Sequence, residues 1–339
     1  MRKSPMNKPK IAVLGDGGWG TTLAILLSGK GFDVTLWGAF ADYAAYLDKK
    51  RLNPRFLPGI KIPRQVKITA DLREALSGKE VIVLAVPSQH MRTVLGRVKR
   101  TGFPKRAVYL SVTKGIERGT LLRMSEVVRE ELGRVRLAVL SGPTIAHEVA
   151  KGIPTTAVVA CADMRMRAYL QDIFTTERFR VYTNSDVIGV ELGGSFKNII
   201  AIACGISDGL GFGTNTKAAL LSRGLAEMSR LGRALGAQAS TFSGISGLGD
   251  LVTTCVSQYS RNRFVGEEIG KGRSLPSVAR KMKMVAEGVP TAQSGYQLSL
   301  RHGVDMPITR EIYLVLYKNK SPVKAVRDLM GRQKKEETA

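Results

Sequence analysis

The segment Gly15-Asp16-Gly17-Gly18-Trp19-Gly20 constrains what this chain can fold into more than any other stretch. It follows the apolar run Lys10-Ile11-Ala12-Val13-Leu14 and precedes the helix-forming Thr21-Thr22-Leu23-Ala24-Ile25-Leu26-Leu27. Strand, glycine turn and helix in that order place a dinucleotide pyrophosphate over a helix N-terminus. Gly15 permits the sharp turn, Gly17 lets main-chain amides reach the phosphates, and Gly20 lets the helix lie close on its strand. A GxGxxG pattern by itself is often accidental. Here a second strand at Asp33-Val34-Thr35-Leu36-Trp37 supplies the rest of the unit.

Apolar runs bounded by turns recur at Val66–Thr69, Glu80–Pro87, Ala107–Val112, Leu137–Leu140, Ala157–Ala160 and Phe179–Tyr182. Helical segments such as Gly119–Leu132 and Met164–Phe174 separate them. That alternation predicts a mainly parallel sheet covered on both faces, with its ligand beyond the carboxyl ends of the strands. After Ser185 the chain is rich in Ala, Leu, Met and Arg and poor in strand formers. Val187–Gly205, Thr216–Leu235, Arg261–Lys271, Leu275–Val285, Thr291–Arg301 and Thr309–Leu316 read as helices. The expected architecture is α/β: an N-terminal Rossmann-type dinucleotide-binding domain over 10–186, then an all-helical substrate-binding domain over 187–332. The active site is expected in the cleft between them. Residues 1–9 read as a disordered basic tail and 333–339 as a polar one.

At 339 residues the chain is long enough for two such domains. It carries 52 basic against 28 acidic residues, a formal charge of +24. Such a balance attracts anions, nucleic acid or an anionic membrane. The bases are dispersed, however, with clusters at Arg97–Arg106, Arg280–Lys283 and the C-terminus, and no aromatic residues interleave with them as a base-stacking surface requires. Solvated basic faces that favour anionic small molecules are expected, and no nucleic-acid partner. Cys161, Cys204 and Cys255 are far apart and form neither a metal-ligand spacing nor a disulfide framework, which suits a reducing cytoplasm. The apolar stretch Asn198–Ile206 is too short to span a bilayer, and Met1–Lys10 has no apolar segment behind its basic residues, so neither an integral membrane contact nor a signal peptide is expected. His90, His147 and His302 have no metal-binding spacing, and GxSxG and HExxH are absent, so no metal is expected.

Lys197 is the most telling side chain. It stands in the otherwise apolar Glu191-Leu192-Gly193-Gly194-Ser195-Phe196-Lys197-Asn198-Ile199-Ile200-Ala201, with Gly193 and Gly194 one turn below it on the same face. Each glycine costs a helix about 1 kcal/mol against alanine. Either the gap admits a small molecule beside the ammonium, or it serves close helix packing while the lysine reaches solvent. A desolvated lysine there would act as a general acid. In Gly247-Leu248-Gly249-Asp250-Leu251 the glycines are expected to expose the Asp250 carboxylate at a turn. Ser260-Arg261-Asn262-Arg263 reads equally as an anion site at a helix start and as a plain cap with solvated arginines. Lys114, in Ser111-Val112-Thr113-Lys114-Gly115-Ile116, and Ser141-Gly142-Pro143-Thr144 each follow a strand, at the ligand edge of the sheet or in ordinary turns.

Taken together these segments resemble the NAD(P)-dependent glycerol-3-phosphate dehydrogenases of the soluble bacterial type. The resemblance runs from about Lys10 to Lys335 through the Gly15–Gly20 loop, Val112-Thr113-Lys114-Gly115, Ser141-Gly142-Pro143-Thr144-Ile145-Ala146, Glu191–Asn198, Gly247–Asp250, Ser260–Asn262 and Val285-Ala286-Glu287-Gly288. It implies reversible reduction of dihydroxyacetone phosphate to sn-glycerol 3-phosphate for glycerophospholipid synthesis, by a cytoplasmic homodimer. It implies that Lys197 exchanges the proton at the substrate C2 oxygen, flanked by Lys114 and Asp250. Arg261 and Asn262 would hold the substrate phosphate with Ser260 close by, and Gly142 and Thr144 would line the pocket. Trp19 and the Gly18 amide would meet the cofactor pyrophosphate, with Gly15, Gly17 and Gly20 shaping the loop. Lys114, Ala146, Arg261, Val285 and Glu287 would complete the cofactor site. A requirement for a terminal phosphate would separate this activity from that of a related dehydrogenase. The joint presence of Lys114, Lys197, Asp250 and Arg261 argues against a cofactor binder without turnover.

Two departures stand out. Gly18 occupies a position where serine is common in that family. After the second strand the chain reads Trp37-Gly38-Ala39-Phe40-Ala41-Asp42, with no basic residue for an adenosine 2′-phosphate and no acidic residue ending the strand for a ribose diol. Lys49, Lys50 or Arg51 would have to come back toward the adenosine. The overall basic charge inclines the expectation toward NADPH, with NADH working as well.

Overall fold

Ile11, Ala12, Val13 and Leu14 are all fully buried because β1 (Ile11–Leu14) lies inside a sheet covered on both faces. The computed structural model describes residues 8–282, 284–334 and 336–337. Residues 1–7 of the expected N-terminal tail, Lys283 of one basic cluster, and 335, 338 and 339 of the C-terminal tail lie outside that set. The chain divides into two units: one runs to Glu117 and resumes over Leu122–Glu191, the other takes Arg118–Leu121 and the chain from Leu192 onward.

The first unit is α/β, of Rossmann type. Besides β1 its strands are β2 (Val34–Trp37), β3 (Leu52–Asn53), β4 (Leu57–Lys61), β5 (Lys67–Thr69), β6 (Val81–Leu84), β7 (Val108–Ser111), β8 (Arg136–Ser141), β9 (Thr155–Ala160) and β10 (Phe179–Asn184). Eight of them form one sheet in the order β10-β9-β8-β7-β6-β1-β2-β5. Neighbours are parallel except at β8–β9, where the chain pairs antiparallel. β3 and β4 make a separate hairpin. It escaped sequence reading because Pro58-Gly59 interrupts a strand with mostly exposed positions.

Alternate strand residues feed two cores. Ile11 and Val13 join Leu23, Ala24 and Leu27 of α1 (Gly18–Gly29), Leu47 of α2 (Ala41–Lys50) and residues of a later helix, Met164–Phe174. Ala12 and Leu14 join Leu72, Ala75 and Leu76 of α3 (Leu72–Leu76), Val94, Leu95 and Val98 of α4 (Met91–Thr101), and Val127, Val128 and Leu132 of α5 (Met124–Leu132). α5 starts five residues later than expected, because Gly119 and Leu121 take positive φ and Ile116 bridges Arg123 in an antiparallel pair. α6 (Ala146–Ala150) and α7 (Met164–Phe174) complete the unit. The chain leaves β1 toward β2 on one side and returns to β6 on the other, so the topology reverses at the carboxyl end of β1.

α8 (Val187–Gly209) begins at the end of the first unit. The described elements of the second unit are helical: α9 (Thr214–Ala234), α10 (Ala239–Ser243), a π-helical turn over Ile245–Gly249, α11 (Asp250–Val256), α12 (Arg261–Gly270), α13 (Leu275–Lys281), α14 (Gly288–Arg301), α15 (Pro307–Tyr317) and α16 (Pro322–Met330). α10, α11 and α16 were not read from the sequence. α8 is longer than its apolar run and, by length and composition, long enough to cross a membrane, but 89% of its apolar window is buried inside the protein. Part of that burial comes from helix crossing at backbone distance. A Cβ on Gly205 of α8 would stand 2.0 Å from Arg263 O, and one on Gly266 of α12 would stand 2.1 Å from Ile202 O.

Glu227 of α9 is 2% exposed and closes the start of α15. It accepts hydrogen bonds from the Ile308 and Thr309 amides at 2.6 and 3.2 Å and from the Thr309 hydroxyl at 3.2 Å. These are amides that a helix start leaves without an internal partner. Burial outweighs the hydrogen bonds and pushes its carboxyl up to about 7, from 4.5. The folded state therefore holds this proton more firmly than the unfolded chain. The contribution to stability is complete below about pH 4.5 and is lost as pH rises through 7. Wild-type stability is expected to fall between pH 5 and 8 by about 2–3 kcal/mol more than that of Glu227→Gln, measured by urea unfolding. Parallel pH profiles for the two proteins would refute the assignment.

Candidate active site

β1 delivers the chain into Gly15, whose φ of +121° favours glycine and whose Cβ, if present, would stand 2.6 Å from Ala85 O. A Cβ on Gly20 would lie 1.9 Å from Gly15 O, so glycine is what lets α1 rest on the turn. At Gly17 a Cβ would meet nothing within 4 Å. The main chain there has open space in front of it, as close approach of a ligand requires. α1 begins at Gly18 with no side-chain cap and no acidic residue in its first turn, which leaves its first amides and the positive end of its dipole to an anion. A side chain at Gly18 would collide with Phe56 O at 2.6 Å, a steric reason for glycine there. Trp19 is half-buried and packs its ring on Phe179, centroids 6.3 Å apart.

Asn53, 1% exposed, holds this loop from beneath. Its amide nitrogen donates to Asp16 O and Thr21 Oγ1, both at 2.8 Å, and its oxygen accepts from Tyr43 Oη at 2.7 Å. Sequence reading missed it, since a lone asparagine between Leu52 and Pro54 carries no periodic or motif signal. Arg51 ends α2 in the left-handed conformation, with φ +55°. Its guanidinium is taken up by Asp48 and Val66 O, each at 2.6 Å.

Three nominated residues of the first unit converge. Lys114, following β7, donates to Gly142 O at 2.8 Å and reaches Thr144 Oγ1 at 3.5 Å, while Thr144 Oγ1 itself donates to Gly142 O at 3.1 Å. Gly142 takes φ +142° at the end of β8. Ala146 starts α6, and its carbonyl accepts Thr22 Oγ1 of α1 at 3.1 Å.

In the second unit the Lys197 side chain is 7% exposed and the Asp250 side chain 1%. The ammonium is ion-paired to Asp250 Oδ1 and donates to Thr254 Oγ1 at 2.7 Å. Thr254 Oγ1 donates in turn to Asp250 O at 2.6 Å. Two expectations need correction. Asp250 is not exposed at a turn: the π-helical turn feeds directly into α11, which carries the carboxylate inward to α8. Gly193 does not open a gap for a ligand, because a Cβ on it would stand 2.6 Å from Ser246 O. Its role is to let α8 meet that turn at backbone distance, which brings Asp250 to Lys197. Thr254 was missed because it lies one helical turn beyond the Gly247–Asp250 motif.

Ser260 caps α12, its Oγ accepting the Arg263 amide at 3.2 Å. Arg261 donates from Nη1 to Val285 O at 2.7 Å. α13 ends at Lys281, four residues short of the expectation, which leaves the Val285 carbonyl outside any helix. Buried Asn262 spans three elements: Nδ2 donates to Asn198 Oδ1 of α8 and Oδ1 accepts the Gly288 amide of α14, both at 2.8 Å. One N–H of Asn262 remains beyond these two bonds. Glu287 immediately precedes α14. A cavity of about 500 Å³ lies elsewhere in the same unit, lined by apolar residues such as Ile206, Leu220, Ile312 and Val326 and by none of the residues nominated for chemistry.

Comparison with known proteins bears on both units. A family model described as the NAD-dependent glycerol-3-phosphate dehydrogenase N-terminus matches residues 10–167, and one described as the C-terminus of the same family matches 186–327. A protein of Pelodictyon phaeoclathratiforme named glycerol-3-phosphate dehydrogenase (NAD(P)+) is 52% identical, the match covering 96% of this chain and 99% of that protein. A protein of the same name from Citrifermentans bemidjiense is 51% identical, covering 97% and 98%. The crystal structure of glycerol-3-phosphate dehydrogenase from Coxiella burnetii is similar with a TM-score of 0.92 and 40% identity, over 96% of this chain and 99% of that one.

Proposed function

The chain belongs to the NAD-dependent glycerol-3-phosphate dehydrogenase family and is an NAD(P)-dependent oxidoreductase; on that footing we propose that Lys197 is the proton donor in its reduction of dihydroxyacetone phosphate to sn-glycerol 3-phosphate. The observation that carries this is the buried Lys197–Asp250–Thr254 cluster. A bound reduced nicotinamide supplies hydride to the C2 carbonyl carbon. As negative charge grows on the C2 oxygen, the Lys197 ammonium stabilises it and hands over a proton. Asp250 and Thr254 fix the direction in which Nζ points, so no reorganisation is needed when that charge appears. In the reverse direction the neutral amine takes the alcohol proton.

The open front of Gly17 and the uncapped start of α1 fit a pyrophosphate, held there by the amides of Gly18 and Trp19 on the frame of Gly15 and Gly20. Lys114, Ala146, Arg261, Val285 and Glu287 complete the cofactor contacts. Arg261 and the remaining N–H of Asn262, with Ser260 beside them, take the substrate phosphate. Binding energy gained there is spent on orientation at C2. Lys114, Gly142 and Thr144 line the substrate's reacting end. The product supplies glycerophospholipid synthesis, and the enzyme works in the cytoplasm, a reading supported by three buried free thiols. It acts as a homodimer, the assembly that the family resemblance implies.

The test is loss of nicotinamide absorbance when purified protein meets dihydroxyacetone phosphate, run separately with NADH and NADPH. Oxidation is expected with the phosphate ester and very little with unphosphorylated dihydroxyacetone. Equal rates with both ketones would overturn the assigned phosphate grip, and no oxidation with either nucleotide would overturn the reaction.

A further inference from the structure

Asp16, between Gly15 and Gly17, is accounted for by neither the fold nor the chemistry above. Its main chain is pinned, since Asp16 O accepts from Thr21 Oγ1 at 3.1 Å and from Asn53 Nδ2 at 2.8 Å. Its side chain reaches the end of β2: a Cβ on Gly38, the first residue after that strand, would stand 2.5 Å from Asp16 Oδ2. That oxygen is shielded from solvent and finds no hydrogen-bond partner among the described residues. Burial pushes the Asp16 carboxyl above the ordinary carboxylate range, opposed by its own amide and by Arg55. A carboxylate with an unsatisfied oxygen is costly to maintain. It lies against the position from which a dinucleotide-binding sheet ordinarily presents an acidic residue to the adenosine ribose, the C-terminal end of the second strand.

In this chain that strand ends in Trp37-Gly38-Ala39, with no acid of its own. Gly38 has no side chain to keep Asp16 away. We propose that Asp16 takes over the missing acid's role from the glycine loop, accepting hydrogen bonds from the adenosine ribose diol and making this chain prefer NADH to NADPH. The inference rests on the dehydrogenase reading above and deepens it. A ribose diol brings two hydroxyl donors, and an ionised carboxylate is acceptor-only. A 2′-phosphate brings about two negative charges and only acceptors at neutral pH. Like charges set against each other at a binding surface are strongly discriminating. The preference runs opposite to what the overall basic charge implies, because a long-range field is screened within about 10 Å whereas the carboxylate acts at contact. Arg55 acts against the Asp16 charge; its side chain is exposed, with the guanidinium 5.0 Å from the Tyr43 ring centroid.

Equilibrium binding tests this without turnover. Dissociation constants for NADH and NADPH are measured by titration calorimetry on the wild type, Asp16→Asn, Asp16→Ser and Arg55→Ala, with thermal midpoints recorded for each. The wild type is expected to bind NADH at least about tenfold more tightly than NADPH. Both Asp16 variants are expected to bring the ratio toward one, chiefly by tightening NADPH, while Arg55→Ala widens it. A wild-type ratio at or below one, or an unchanged ratio in folded Asp16→Asn and Asp16→Ser, would overturn the proposal alone. Binding of neither nucleotide by the wild type would overturn the dehydrogenase reading and the proposal with it.

Discussion

Lys197→Ala is expected to lower kcat by about 10³–10⁴-fold while leaving the dissociation constants of the nucleotides within about twofold. The first part follows from removing the only proton source assigned to the C2 oxygen together with the charge that stabilises it. The second follows because the glycine loop and its supports, Asn53 and Thr21, belong to the other unit and make no use of Lys197. The substitution also leaves Asp250 buried without its counter-ion, and breaking a buried pair from one side costs about 3–5 kcal/mol. A loss of activity through unfolding must therefore be separated from a loss of chemistry. Lys197→Met combined with Asp250→Leu removes both charges and is expected to recover most of the stability, since apolar replacement of a buried pair is often neutral or favourable. Turnover should remain lost in that double variant. Activity within tenfold of wild type in either protein would remove Lys197 from the mechanism.

The largest expected pH-dependent stability effect lies at Arg123. Its guanidinium holds the buried Glu191 carboxylate at 2.6 Å, alongside the Ser125 amide at 2.8 Å and the Ser125 hydroxyl at 2.6 Å. Even so, burial leaves the Glu191 carboxyl above its ordinary range. The folded state thus binds the Glu191 proton more firmly than the unfolded chain, and the associated stability declines as pH rises. Arg123→Met removes the main opposing charge, so the preference for the protonated acid grows. The variant is expected to lose about 3–5 kcal/mol at pH 8 and distinctly less at pH 5.5, where Glu191 takes up its proton. Adding Glu191→Gln should restore most of the loss at pH 8. Urea midpoints at the two pH values provide the check, and an equal loss at both would show that the Arg123 contribution is packing along its stem rather than charge.

Much of the first unit was legible from local pattern. Strands buried on both faces read as unbroken apolar runs, which is why β1, β6 and β7 stand out, and the glycine loop is a motif whose spacing is dictated by main-chain contacts only a few residues apart. The hairpin β3–β4 was not legible, because short, mostly exposed strands have no such run. The start of α5 was misplaced because Leu121 adopts φ +65°, a conformation that its side chain does not advertise. In the second unit helix periodicity located α8, α9, α12 and α14, while α10, α11 and α16, of five to nine residues, went unread because so short a segment carries little periodicity.

The sequence by itself determined the class of fold, the dinucleotide loop and the identity of Lys197 as the residue to explain, because each depends on neighbours within a turn or a strand. It also carried the family, through ordered motifs spread along the chain. Only the tertiary structure decided what those residues do with one another. Gly193 looked like room for a ligand and is instead the contact that lets the Ile245–Gly249 turn press on α8. Asp250 looked exposed and is buried, because that contact turns it inward to Lys197 across 53 positions of chain. Asp16 looked like a spacer between glycines, and its meeting with the end of β2 depends on two strands lying side by side. Partnerships of this kind are set by which surfaces pack, and packing distance bears no fixed relation to separation along the chain.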